Sequence, residues 1–374
     1  MMTKNDLQQE AYGAVVANSY KGQVLAATGS GKSRIGVLAA QDAFETFGAA
    51  TDIVIVAPFI KLLTENWPEE LEKWNSSHLL PFITFVTYVS FNKLPKHKRS
   101  LVILDEAHHL TEASIEFFKN NPQDRILVLT ATPPEDQGKI DLLASLAPVV
   151  FKYKLDEAVA DGLVADYRIH IVDCFLDTKD KYIPGGKKTA PFMTTEASGY
   201  LFLDKQIKKA MIMRNDGWMQ ALITKRMHMI YNLRSKTNIA RKLLDKLDPD
   251  LRIIVFCGSI AQANELMGDA VYHSKSSGQA LADFKSGVIN RIGVVKALDE
   301  GHNLEGIDAE VIVQGTAVKR QVGQRIGRAI RVRPNHVAKI FVLSTEGTVD
   351  KKWVLNSLED FDQSKISHYS SNNL

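Results

Sequence analysis

Cysteine is nearly absent from this chain: Cys174 and Cys257 are the two present, far apart and without a Cys-x-x-Cys partner. That excludes a zinc ribbon and a disulfide framework, and it fits a reducing compartment. Long apolar runs are also missing. No stretch reaches the length of a membrane span, and the opening Met-Met-Thr-Lys-Asn-Asp lacks the apolar core of a secretory signal. There is no repeat at a fixed period and no low-complexity tract. A strong excess of one sign of charge is missing as well: a net charge of +3 is compatible with a polyanionic partner but too mild to require one. What remains is an ordinary globular composition in 374 residues, enough for two separate cores.

What is there begins at residues 26–33, Ala-Ala-Thr-Gly-Ser-Gly-Lys-Ser, directly after the apolar Val24-Leu25. A glycine-rich loop between a strand and a helix aims backbone N–H groups at an anion. Thr28, Gly29, Ser30, Gly31, Lys32 and Ser33 are therefore candidate ATP-binding residues. Lys32 would reach the β- and γ-phosphates, and the Ser33 hydroxyl would ligate Mg²⁺. The general pattern has glycine at position 26, where this chain has alanine. A second apolar run, Leu101-Val-Ile-Leu104, ends in Asp105-Glu106-Ala107-His108. Paired carboxylates at the end of a buried strand suit Asp105 as a metal ligand and Glu106 as the base that activates the attacking water. The histidines after them match no common zinc spacing. The two segments together predict a triphosphatase that uses ATP and Mg²⁺.

The first half alternates apolar strand-like runs, at 23–26, 52–57, 82–87, 101–105, 125–130 and 149–151, with helical patterns at 32–47 and 113–119. Such alternation predicts a parallel sheet covered on both faces, with ligands at the carboxyl ends of its strands. A second series follows at 169–175, 251–257, 291–295, 310–313 and 338–343, interrupted by a basic helical segment over about 199–247. Met211, Met213, Met227, Met229 and Ile230 of that segment are expected in a core. The join falls around 155–165, and the polar residues 362–374 are expected to fray.

Further short motifs occur in a fixed order: Leu7-Gln8-Gln9-Glu10-Ala11, Val56-Ala57-Pro58 with Lys61, Thr87-Tyr88, Thr130-Ala131-Thr132-Pro133, Ile254-Val255-Phe256-Cys257, Glu300-Gly301-His302-Asn303-Leu304 and Gln324-Arg325-Ile326-Gly327-Arg328-Ala329-Ile330-Arg331. With the phosphate loop and the DEAH box, this set resembles the DExH-type helicases and translocases of superfamily 2. The closest likeness is to compact bacterial or phage members, Res- or UvsW-like.

The resemblance covers roughly residues 7–357. It implies an α/β fold of two tandem RecA-like P-loop NTPase domains, each a mainly parallel sheet covered by helices. They would span 1–158, with the ATP site, and 159–361, with the basic helical segment, followed by the tail at 362–374. It implies an ATP-dependent DNA helicase or double-stranded DNA translocase acting in recombination, repair or replication. The alternatives are an RNA helicase, an ATP-gated nucleic-acid-binding regulator and a restriction motor subunit. Lys32, Asp105, Glu106, Arg328 and Arg331 would be catalytic, the two arginines sharing a helix face and stabilising charge on the γ-phosphate. Gln8 would read adenine, with Gly301 and Asn303 also at the nucleotide. His108, Thr130, Thr132 and Gln324 would couple the ATP site to movement. Lys61, Thr87 and Ser259 would contact nucleic acid, chiefly at phosphates.

The implied partner is DNA, duplex, branched or single-stranded, with RNA as the alternative polymer. Replication or recombination proteins are further expected partners, with no membrane, for a monomer in the cytoplasm of a bacterium or phage-infected cell. One more expectation comes from the residues alone. Lys181-Tyr182-Ile183-Pro184-Gly185-Gly186-Lys187-Lys188 predicts a hairpin or extended loop that turns at Pro-Gly-Gly, with Tyr182 available to stack on a base.

Overall fold

The computed structural model describes residues 2–131, 134, 136–187, 190–295, 304, 306–315, 319–329 and 336–373. The chain divides into two units, Met1–Val164 and Ala165–Leu374.

The first unit runs α1 (Lys4–Ala17), β1 (Lys21–Ala26), α2 (Lys32–Phe47), β2 (Ile53–Ala57), α3 (Trp67–Lys73), β3 (Ile83–Thr87) and α4 (Tyr88–Phe91). It continues with β4 (Leu101–Asp105), α5 (Glu112–Asn120), β5 (Ile126–Thr130), α6 (Gln137–Leu146), β6 (Val149–Tyr153) and α7 (Leu155–Ala160). The strands form a six-stranded sheet in the order β3-β2-β4-β5-β1-β6, with every neighbouring pair parallel. Strands β2, β4 and β5 are buried at every position, which is why they read as unbroken apolar runs. Alternate side chains still serve different faces. Ile53 and Ile55 pack with α1, α2 and α3 through Leu7, Ile35 and Trp67. Val54 and Val56 pack with α5 and α6 through Phe117, Phe118 and Leu143. Ala158 and Val164 belong to the first core, so the division comes after Val164.

The second unit contains β7 (Asp166–Cys174), β8 (Ile183–Lys187), β9 (Ala190–Thr194), α8 (Glu196–Ile212), α9 (Asp216–Tyr231), α10 (Arg234–Lys246), β10 (Ile253–Phe256) and α11 (Ile260–Met267). Then come β11 (Val271–His273), α12 (Gln279–Ser286), β12 (Arg291–Val295), β13 (Ala309–Ile312), α13 (Lys319–Ala329), β14 (Val337–Thr345), α14 (Val349–Ser357) and β15 (Ile366–Ser370). Seven strands pair in parallel in the order β11-β12-β10-β13-β14-β7-β15, while β8 and β9 form a separate antiparallel pair.

Three expectations are corrected here. The polar tail does not fray: β15 extends the sheet beside β7, with Ile366 opposite Ile169 and Ser367 opposite His170. Its short run satisfies the backbone groups of an otherwise open edge. Lys365 pairs with Asp166, and His170 Nδ1 lies 2.8 Å from Ser367 Oγ. Pro184, Gly185 and Gly186 lie inside β8 instead of making a turn. The Phe192 ring crosses Gly185 so closely that a Cβ there would be 2.8 Å from it. Lys188, the last residue of that stretch, lies outside the described residues. The basic segment is three helices, and Met211 and Met213 at the end of the first are exposed, not core; Ile230 is buried. Several of its cations have structural partners. Lys208 and Arg226 meet Asp204, Arg241 meets Glu265, and Lys236 is buried against Asp350 at 2.7 Å.

Candidate ATP site

The carboxyl edge of the first sheet gathers the motifs. Strands β1 and β4 flank β5, so the phosphate loop, the DEAH box and Thr130 leave three adjacent strands on one side. Gly29 and Gly31 hold the loop in left-handed conformations, at φ +89° and +84°, and Gly31 opens α2. The left-handed backbone demands glycine at Gly31, and a Cβ there, 2.2 Å from Gln8 Nε2, would also push the Gln8 amide aside. Ala26, where the general pattern has glycine, is the buried last residue of β1 and needs no positive φ; alanine costs nothing at that point.

Gln8 donates from Nε2 to the carbonyls of Ser30 and Gly31, both at 3.2 Å, tying α1 to the loop. Lys32 Nζ donates to Ala26 O at 3.1 Å. The Ser30 hydroxyl is buried with no partner among the described residues. Unsatisfied buried hydroxyls are uncommon, and a hydroxyl donor in a loop of this shape suits an anion.

Asp105 accepts from the Trp67 indole Nε1 at 3.1 Å on one oxygen and from the Glu106 amide at 3.0 Å on the other. Burial pushes its carboxyl well above the usual carboxylate range, and the Glu106 charge adds to the shift. Lys32 and the Trp67 bond pull it back. That a Lys32 charge acts on Asp105 brings the two motifs into one electrostatic site. Trp67 is itself fully buried, and Gly36 makes room for it: a Cβ there would be 2.5 Å from the indole.

Glu106 adopts φ +48° and ψ +53°, a left-handed backbone that L-residues rarely take. Strain of this kind, about 1–3 kcal/mol, concentrates at working residues. Its Oε2 lies 3.5 Å from His108 Nδ1, which also meets Thr130 Oγ1 at 3.3 Å; the His108 side chain is fully buried. His108 thus links the end of β4 to the end of β5.

The remaining predicted residues are scattered or lie elsewhere. Lys61, just after β2, pairs with Glu65 at 3.5 Å, and Thr87, the last residue of β3, donates from Oγ1 to Ser90 Oγ at 3.3 Å. Ser259 caps α11, its hydroxyl accepting from the Gln262 amide at 3.3 Å. Gln324 and Arg328 lie on α13, the Arg328 side chain being outside the described residues. Thr132, Gly301, Asn303 and Arg331 are outside them as well. Tyr182 has other work than stacking on a base. Its hydroxyl contacts Glu196 and accepts from the Arg234 amide, with the Arg234 guanidinium 4.1 Å over its ring.

Sequence reasoning missed two residues that shape the site. Trp67 holds Asp105, and Tyr88 donates from its buried hydroxyl to the Asp105 carbonyl at 2.9 Å. Trp67 follows no motif; Tyr88 stands inside one, but only contact geometry shows what its hydroxyl reaches.

Residues 1–135 match the family described as "Type III restriction enzyme, res subunit". A DNA 3'-5' translocase, XPB2 of Sulfurisphaera tokodaii, is 27% identical over 387 residues, covering 92% of this chain and 82% of that protein. Among solved structures, the Type ISP restriction-modification enzyme LlaBIII bound to DNA superposes with a TM-score of 0.61 at 15% identity. The match covers 98% of this chain and 31% of the enzyme, so the chain spans about a third of that protein's length. Dbp5 of S. cerevisiae bound to RNA gives 0.60 at 14% identity, covering 98% of this chain and 90% of Dbp5. The Hef helicase domain of Pyrococcus furiosus gives 0.53 at 15% identity, covering 96% of this chain and all of that domain. These likenesses show the fold: two parallel-sheet α/β domains of the tandem RecA-like type.

Proposed function

We infer that this chain, a protein of the superfamily 2 helicase and translocase type, is an ATP-driven motor on DNA. The observation that carries the reading is the convergence of Lys32, Asp105, strained Glu106 and buried His108 on adjacent strand ends of one sheet. The DNA assignment is supported by the resemblance over most of the chain to a DNA 3'-5' translocase. Movement in the 3'-to-5' direction is proposed on the same ground.

The residues fit a magnesium nucleotide. The phosphate loop offers its amides, the Ser30 hydroxyl and Lys32 to the phosphates. Gln8 spends its amide hydrogens on loop carbonyls, which leaves Oε1 as the acceptor for adenine. Ser33 and Asp105 would hold Mg²⁺, which neutralises phosphate charge when bound. Glu106 orients the attacking water and takes its proton. His108 fixes Glu106 relative to Thr130, so that the end of β5 senses the state of the glutamate. Arg328 and Arg331 are assigned to the developing charge on the transferred phosphoryl group.

ATP hydrolysis measured in parallel with no polymer, single-stranded DNA, duplex DNA, branched DNA and RNA tests the proposal. Stimulation by DNA above RNA is expected. Stimulation by RNA alone would favour an RNA helicase, and no stimulation by any polymer would refute the motor.

A further inference from the structure

The peptide that joins Asp105 to Glu106 is held at both ends. Its carbonyl, Asp105 O, accepts from the Tyr88 hydroxyl at 2.9 Å, and its amide, Glu106 N, donates to Asp105 Oδ1 at 3.0 Å. Glu106 has the left-handed backbone, at φ +48° and ψ +53°. A glutamate in that conformation is strained and stays there only where its surroundings fix it. Turning the preceding peptide over would release the strain. Rotation about Asp105 ψ and Glu106 φ carries the Asp105 carbonyl and the Glu106 amide together to the opposite side and returns Glu106 to negative φ. Such a flip breaks both hydrogen bonds at once, so the two bonds oppose it.

One of these bonds is local and the other is not. The amide reaches the side chain of its own neighbour, Asp105, whereas Tyr88 comes from across the sheet. It follows β3, and β2 lies between β3 and β4. Two strand spacings, about 10 Å, separate the ends of β3 and β4, and the long tyrosine side chain covers that span. Tyr88 is buried in one core cluster with Val86, Phe91, Leu104 and Phe117. Its own carbonyl accepts from Ser114 Oγ at 3.0 Å, and Ser114 Oγ lies 2.9 Å from Thr111 Oγ1, the N-cap of α5. The phenol is therefore anchored at its main chain, its ring and its hydroxyl.

Trp67 does not share this task. It binds Asp105 at the carboxylate, through Oδ2, and leaves the peptide free to turn. The indole holds the proposed metal ligand, and the phenol holds the backbone that sets where the next residue points.

We propose that Tyr88, braced by Ser114, is a positioning residue for the hydrolytic step, its hydroxyl locking the Asp105–Glu106 peptide against a flip and so keeping the Glu106 carboxylate on the attacking water. The proposal rests on the reading of Glu106 as the base and names what keeps that base in place. A flip redirects the Glu106 side chain and takes Oε2 away from His108 Nδ1, which it meets at 3.5 Å in the held state. Lys32 and the phosphate loop, tied down by Gln8, stay where they are. Loss of the Tyr88 hydroxyl then reaches the chemical step and spares nucleotide binding.

The test compares wild type, Tyr88→Phe, Ser114→Ala and a protein carrying 4-aminophenylalanine at position 88, with thermal melts alongside. Phenylalanine keeps the ring and removes the donor, and the amino group restores a donor. Turnover is titrated with ATP and with Mg²⁺ in the presence of the polymer that stimulates wild type most, and affinity is measured with a fluorescent nucleotide. Tyr88→Phe is expected to lower kcat about 10- to 100-fold, the scale of a small misplacement of a reacting group. Its nucleotide affinity and half-saturating Mg²⁺ should stay within about twofold of wild type. Saturating Mg²⁺ should not recover its rate, and 4-aminophenylalanine should recover most of it. Ser114→Ala should lower kcat in the same direction by less. A wild type without ATPase activity, or a Glu106→Gln protein that keeps it, overturns the reading on which the proposal rests. With that reading intact, a folded Tyr88→Phe protein with wild-type kcat overturns the role of Tyr88 alone. So does a loss confined to nucleotide affinity or Mg²⁺ requirement, or one that 4-aminophenylalanine fails to repair. Should Tyr88→Phe not fold, Ser114→Ala decides the matter, and wild-type kcat there overturns the proposal.

Discussion

Replacing Trp67 by Phe isolates one bond at the proposed metal ligand. The indole donates to Asp105 Oδ2 at 3.1 Å with both groups buried. Phenylalanine keeps an aromatic ring in the core, gives up the outer indole atoms that face Gly36, and removes the donor. A hydrogen bond to a charged group contributes about 1.5–3 kcal/mol. At about 1.4 kcal/mol per tenfold, its loss predicts roughly 10- to 100-fold weaker Mg²⁺ binding, the range seen for outer partners of metal ligands. The direction with pH follows. Burial and Glu106 already hold the Asp105 carboxyl up, and the Trp67 bond is one of the influences lowering it. Without that bond more of the protein carries protonated Asp105 near neutrality. Half-saturating Mg²⁺ should therefore fall as pH rises, and fall further in the variant than in wild type. A Mg²⁺ titration of ATPase rate and of fluorescent nucleotide binding, at several pH values, measures both effects. Saturating Mg²⁺ should recover turnover. A folded Trp67→Phe protein with the wild-type Mg²⁺ curve at every pH would refute the role given to this bond.

Lys32→Ala and Glu106→Gln should both abolish turnover and differ in binding. The lysine variant loses affinity for ATP, while the glutamine variant retains bound ATP, as equilibrium binding of a labelled nucleotide would show. Arg328→Ala and Arg331→Ala should each lower DNA-stimulated hydrolysis by on the order of 10³-fold with ATP still bound; normal stimulated rates in both would return these arginines to a solvated surface. Lys236→Met strands the Asp350 carboxylate in the core of the second unit, where Thr345 N at 2.8 Å is its other donor among the described residues. Breaking a buried pair of this kind costs about 3–5 kcal/mol, so thermal melting should drop by roughly 10 °C. Lys236→Met/Asp350→Leu should recover much of that loss, and an unchanged melt in the single variant would remove the pair from the account of stability.

The sequence by itself determined the first sheet and the backbone shape of the candidate phosphate loop. Strands β2, β4 and β5 are buried on both faces, so apolar composition alone marks them, and Leu101–Asp105 was legible to the residue. The phosphate loop was legible because its glycines are demanded locally, by left-handed backbone at Gly29 and Gly31. Tertiary structure decided whatever depends on a distant partner. Residues 362–374 read as a frayed tail because their polarity says nothing of the open edge of β7 that Ile366–Ser370 completes. Pro184-Gly185-Gly186 carries a turn's composition, yet Phe192 across the strand pair makes it extended. Met211 and Met213 fit a core pattern but come at a helix end where they stay exposed, while Lys236 sits among cations and is buried because Asp350, far along the chain, is there to meet it. The hold of Trp67 on Asp105 belongs with these. Local rules set backbone shape and apolar burial, and they carry no information about which polar atoms the fold brings within 3.1 Å of each other.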